Sequence, residues 1–153
     1  MTKRVISQIE FEIDQIEQLL EAYADLLARA KENKPDLVEV TALASVLHSF
    51  YNGLENIFLS IAKGLETKVP TGSQWHRDLL TQMAQPMPQR DPVFTSETVG
   101  LLAEYLGFRH FYRHSYSFFL DWDELEKLVL PLSEVWARVK AELQLFLNKL
   151  DTH

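Results

Sequence analysis

Apolar residues step along the first thirty positions by alternating threes and fours. Ile6, Ile9, Ile13, Ile16, Leu20, Tyr23, Leu27 and Ala30 form one heptad seam, which predicts an unbroken amphipathic helix from about Thr2 to Asn33. Lys34-Pro35-Asp36 ends it. A second helix is expected from about Leu37 to Lys68, and its apolar residues lie on several faces, so it belongs at the centre of the fold. Ser49, Asn52, Glu55 and Asn56 interrupt that helix. In such apolar surroundings they need partners or water, and bonds to neighbouring helices are the plain reading.

Val69-Pro70-Thr71-Gly72-Ser73 reads as a turn, with Ser73 the expected N-cap of a short third helix running to about Ala84. This helix carries Trp75-His76-Arg77-Asp78, and a lone His beside an Arg near a helix start reads first as structural. Gln85 to Pro92 contains three prolines and is expected as a long exposed loop. A fourth helix should begin near Thr95 or Ser96, with Glu97 in its first turn. A fifth should begin near Asp121, where Trp122, Leu125, Val129, Leu132, Trp136, Val139, Leu143, Phe146 and Leu150 form a second seam. Pro131 should kink that helix or mark a restart. The expected fold is all-α: an antiparallel bundle of about five helices, one of them short, in a single domain spanning residues 1–153. The seams serve either internal packing or a second subunit, and periodicity does not choose between them.

Composition narrows the chemistry. A chain of 153 residues can bury about 70% of its unfolded surface in one core. The absence of Cys removes disulfides, thiolate metal sites and Cys nucleophiles. Neither a signal-peptide core nor an apolar run long enough for a membrane span is visible, so a soluble, cytoplasmic protein without membrane attachment is expected. The net charge of −7 argues against broad nonspecific binding of nucleic acid, which needs many cations facing the phosphates. A local basic site is still compatible with it.

One such site is written between Arg109 and Tyr116, in the C-terminal half of the fourth helix. Arg109, His110, Arg113 and His114 crowd together with no acid between Tyr105 and Leu120. If the helix stays regular, Arg109, His110, Arg113, His114, Tyr116 and Ser117 share a polar sector of about 160°, opposite an aromatic stripe of Phe108, Phe111, Tyr112, Phe118 and Phe119. Arg grips phosphate through paired N–H donors and keeps its charge, while His exchanges a proton near neutral pH. Cleavage of RNA without a metal needs a base for the 2′-hydroxyl, an acid for the leaving 5′-oxygen and cations for the crowded phosphorus. Arg109 and His114 supply part of this. Two copies meeting on a two-fold axis would supply all of it. Tyr116 would orient a phosphate or be modified itself. A solvated basic face is the bland alternative.

The spacing Arg109, four residues, His114, one residue, Tyr116 resembles the HepT-like toxins of the HEPN superfamily. Tyr51-Asn52-Gly53-Leu54-Glu55-Asn56-Ile57-Phe58 and Gly72 to Leu80 are similar to that family as well. The resemblance implies a metal-independent endoribonuclease toxin that acts as a homodimer on RNA, needs no cofactor, and has Arg109 and His114 as its catalytic residues. It also implies a cognate nucleotidyltransferase antitoxin that transfers AMP to Tyr116 and so blocks the site. Added phosphate beside two arginines would compete with RNA for them. His110 stands where many members have a small polar residue. It is a candidate second acid/base group or, with Arg113, a phosphate ligand. The competing function is a noncatalytic helical module that binds nucleotide or RNA, or docks a nucleotidyltransferase, through the same face. A purely structural bundle is the third.

Overall fold

Helix α3 (Leu37–Ile61) is the axis around which the other elements pack. The computed structural model describes residues 2–114 and 120–151. The remaining elements are α1 (Thr2–Ala22), α2 (Ala24–Ala30), a π-helical turn (Ala62–Glu66), α4 (Trp75–Gln82), α5 (Ser96–Arg113), α6 (Trp122–Val129) and α7 (Leu132–Asp151). Counted as rods, with α1/α2 and α6/α7 each one interrupted helix, they make the expected all-α bundle of five with α4 short.

Asp36 starts α3 with a reciprocal cap: its carboxylate accepts from the Glu39 N–H at 2.9 Å, and Glu39 accepts from the Asp36 N–H at 3.1 Å. From there Leu43, Leu47, Phe50, Tyr51, Leu54, Ile57, Phe58 and Ile61 are all sealed from solvent, which fits the apolar character of several of its faces. The long helices α1 and α5 run antiparallel to it. Asn56 donates to Glu12 and Ser60 to Gln8, so α1 descends as α3 ascends. A β-carbon on Gly64 would lie 2.3 Å from Val5 Cγ2, so that close approach requires glycine. On the other side, Phe58 meets Phe94 and Phe50 meets Tyr105, which sets α5 antiparallel as well.

The first helix is interrupted rather than continuous to Asn33. Tyr23 departs from helical geometry (φ −106°, ψ 15°) and stands exposed, while Leu27 and Ala30 beyond it are buried. The bend turns the end of the seam back onto α3. The second helix also stops short of Lys68. The chain widens into the π-turn and closes at Thr67 with φ 51°, which turns Glu66 into the interior. Ser73 does not cap α4: Gln74 holds the N-cap position without a side-chain bond, and Gly72, at φ +100°, makes the preceding turn.

The proline-rich segment is exposed along most of its length, yet Arg90 anchors it. That guanidinium donates to the carbonyls of Gln82, Gln85 and Asp91 and pairs with Glu66 at 2.5 Å. Thr95 then caps α5 through the Thr98 N–H at 3.2 Å, Asp121 caps α6, and Pro131 separates α6 from α7 as expected.

Candidate functional site

The stripe Leu102, Tyr105 and Phe108, buried against the bundle, decides which way the rest of α5 points. Tyr105 donates to the Leu128 carbonyl at 2.7 Å, and Tyr112 packs on His48 of α3 with ring centroids 4.9 Å apart. Phe111 does not join this stripe. It is 47% exposed, because three successive steps of three from Leu102 leave it about 180° from that residue around the axis.

Arg109 lies seven residues after Leu102, about 20° from it around the axis, and so turns toward α3; the place expected for it, in a polar sector opposite the buried stripe, is corrected. Its side chain is only 12% exposed. Arg109 Nε donates to Asn52 Oδ1 at 2.7 Å, and an Nη atom lies 3.6 Å from Glu55. The physical reason is supply and demand for polar partners: Asn52 and the buried Glu55 must be satisfied, and Arg109 is the cation within reach. Glu55 has a second partner in His76, whose Nδ1 lies 2.7 Å from Oε2. His76 Nδ1 also lies 3.5 Å from an Arg109 Nη. Since Nδ1–H is committed to the carboxylate, that approach is side-by-side contact rather than a hydrogen bond. The Trp75 ring covers the imidazole at 3.7 Å between centroids.

A relay continues from Asn52. Its Nδ2 faces His48 Nε2 at 3.1 Å; with the amide oxygen on Arg109, the NH2 donates to the imidazole. Burial first, and then the charges of Arg109 and Arg113, hold His48 below the usual histidine range. The Tyr51 phenol is pushed up by burial and by Glu55, against the opposing charge of Arg109. Its hydroxyl is buried without a partner among the described residues.

In front of this network opens a cleft of about 510 Å³ between α4 and α5. His76 and Arg77 line one wall and Arg109, His110, Arg113 and His114 the other, with no Asp or Glu among the lining residues. His110, Arg113 and His114 are exposed. The His110 and His114 rings lie 4.7 Å apart. The helix ends at Arg113, and His114 has left helical geometry (φ −115°, ψ 10°), so the projected sector holds through Arg113 and no further. Tyr116 and Ser117 lie outside the described residues. Arg109, His110, Arg113 and His114 thus share one cleft. Among the described residues no three of His, Asp and Glu gather in a metal-binding cluster, and no helix is long and apolar enough to cross a membrane.

In the sequence alone His76 has a structural role and His48 stands outside every motif. The available signal was geometric: His48, Asn52 and Glu55 at steps of four and three stand on one face of α3. The chemistry assembles only when α4 and α5 dock on that face.

No curated protein and no solved structure matches the chain. One family does: the sequence model described as HepT-like protein matches residues 42–150, a span that contains His48, Asn52, Glu55, His76 and the whole Arg/His segment of α5. The chain belongs to the HepT-like family of the HEPN toxin group.

Proposed function

We propose that this protein is a metal-independent endoribonuclease toxin, with Arg109 holding the scissile phosphate and His114 transferring a proton. One observation carries the reading. A chain of net charge −7 reserves a cleft lined by three arginines and three histidines, free of acidic lining residues. That is the electrostatic form of a site that accepts a few phosphates and repels polyanions elsewhere. Membership of the HepT-like family supports it.

Arg109 is suited to phosphate binding because Asn52 and Glu55 have already fixed its guanidinium, so little ordering remains when a ligand arrives. His114, exposed at the end of α5, has room to meet a leaving oxygen. Two copies sharing a two-fold axis beside this cleft would double the cations around one RNA strand. AMP on Tyr116, delivered by a cognate nucleotidyltransferase, would put a phosphate on the same arginines and exclude RNA.

The test is cleavage of RNA in EDTA. The purified protein is expected to cut, and His114→Ala to abolish cutting while leaving the helical signal in circular dichroism intact. Binding without cleavage by the unmodified protein would favour a noncatalytic RNA- or nucleotide-binding module. Co-expression with the nucleotidyltransferase should add AMP-sized mass increments that vanish in Tyr116→Phe.

A further inference from the structure

We propose that His76 is the second proton-transfer group of this cleft, steered through Nδ1 by Glu55 and acting from Nε2 on the 2′-hydroxyl of bound RNA. The proposal rests on the ribonuclease reading and goes beyond it by placing base and acid in one chain.

Three histidines line the cleft, and they are not equivalent. His110 and His114 sit at the exposed end of α5 with no carboxylate partner among the described residues. His76 has one. Its Nδ1 donates to Glu55 at 2.7 Å, and the Glu55 side chain is only 7% exposed. A buried carboxylate on one ring nitrogen fixes the tautomer and directs the lone pair of the other outward. Nε2 has no hydrogen-bond partner among the described residues, and the ring is 28% exposed at the cleft wall. The Trp75 ring stacked on His76 hinders its rotation. The Arg109 guanidinium at 3.5 Å brings the proposed phosphate grip beside the proposed base, the juxtaposition that attack by a neighbouring hydroxyl requires.

The charged surroundings of His76 are Glu55 on α3, Arg109 on α5, Arg77 and Asp78 on its own helix, and His110, Arg113 and His114 across the cleft. In the step, Nε2 takes the 2′-hydroxyl proton as the 2′-oxygen bonds to phosphorus. The bond from phosphorus to the 5′-oxygen breaks, and that oxygen takes a proton from the His114 imidazolium. The products are a 2′,3′-cyclic phosphate and a 5′-hydroxyl end.

His76→Asn keeps an N–H for Glu55 and removes the base. Full-length wild type, His76→Asn, His76→Ala and Glu55→Gln should be compared on a fluorescent RNA oligonucleotide in EDTA across pH, with affinity measured in parallel on its uncleavable 2′-deoxy form. His76→Asn is expected to lower kcat by about 100-fold or more, leave affinity unchanged and remove the rise of kcat/KM with pH on the acid side. Added imidazole should restore part of the rate to His76→Ala, and Glu55→Gln should shift the acid limb while retaining measurable cleavage. A His76→Asn protein that keeps its rate and acid limb overturns the proposal and leaves the nuclease reading standing, as does loss of rate explained by lost affinity. If His76→Asn fails to fold, an unmoved acid limb in Glu55→Gln overturns it equally. Absence of cleavage by wild type removes both readings together.

Discussion

Asn52 on α3 holds Arg109 on α5 by a 2.7 Å hydrogen bond from the guanidinium Nε to the amide oxygen. The same amide gives its NH2 to His48. One side chain therefore orients the guanidinium and reports on the protonation of a histidine one turn earlier.

Replacing Asn52 by Ala strips the acceptor from a largely buried guanidinium. The expected cost is about 1–3 kcal/mol of stability, the penalty for leaving a buried donor unpaired, read as a lower urea midpoint. RNA affinity should fall with it, because Arg109 loses its fixed orientation. Asn52→Asp restores an acceptor for Arg109 and should recover more of the stability than Ala does. Equal midpoints for wild type and Asn52→Ala would show that the bond contributes nothing.

Stability should decline on the acid side because of His48. The unfolded chain takes up this proton near the ordinary value of 6.5, whereas the folded protein, with the imidazole partly desolvated and facing Asn52, Tyr112, Arg109 and Arg113, takes it up lower. The stabilising contribution is complete above about pH 6.5 and is lost as pH falls through the folded value. Protonation also sets an N–H against the Asn52 amide. Thermal midpoints measured between pH 7 and pH 5 should therefore fall more steeply in wild type than in His48→Gln, and parallel curves would contradict this.

The Arg90–Glu66 pair pins the proline-rich segment to the π-turn with side-chain exposures of 1% and 0%. Arg90→Met leaves Glu66 charged and buried with Gln82 as its remaining donor, and should cost about 3–5 kcal/mol. Glu66→Leu added to Arg90→Met removes the stranded charge and should recover part of that loss, although the three carbonyl bonds made by Arg90 stay broken. Chemical denaturation of the two single variants and the double variant measures the coupling. A double variant less stable than Arg90→Met would overturn the account.

Much of the bundle was legible because burial repeats at helical intervals. The apolar residues of the second helix announced its central position, Thr95 and Asp121 the starts of α5 and α6, and Pro131 a break. The structure departs from that pattern where tertiary demands override it. Tyr23 occupies a seam position yet is exposed, since the chain bends to bury Leu27 and Ala30. Ser73 has the chemistry of an N-cap, and the Gly72 turn starts the helix later. Arg90 looks like loop and is buried, because Glu66 waits below it.

The site divides along the same line. The cluster Arg109, His110, Arg113 and His114 is a property of the chain itself, since residues within one and a half turns of a helix are neighbours however the helix packs. That clustering and the polarity of Asn52 and Glu55 could be read directly. Which cation answers Glu55, which histidine it steers, and how far Arg109 withdraws from solvent depend on α3, α4 and α5 converging, and those contacts join residues 21 to 57 positions apart. Local sequence specifies each helix face. Only the packed bundle decides which faces meet, because a buried charge finds its partner through space and not along the chain.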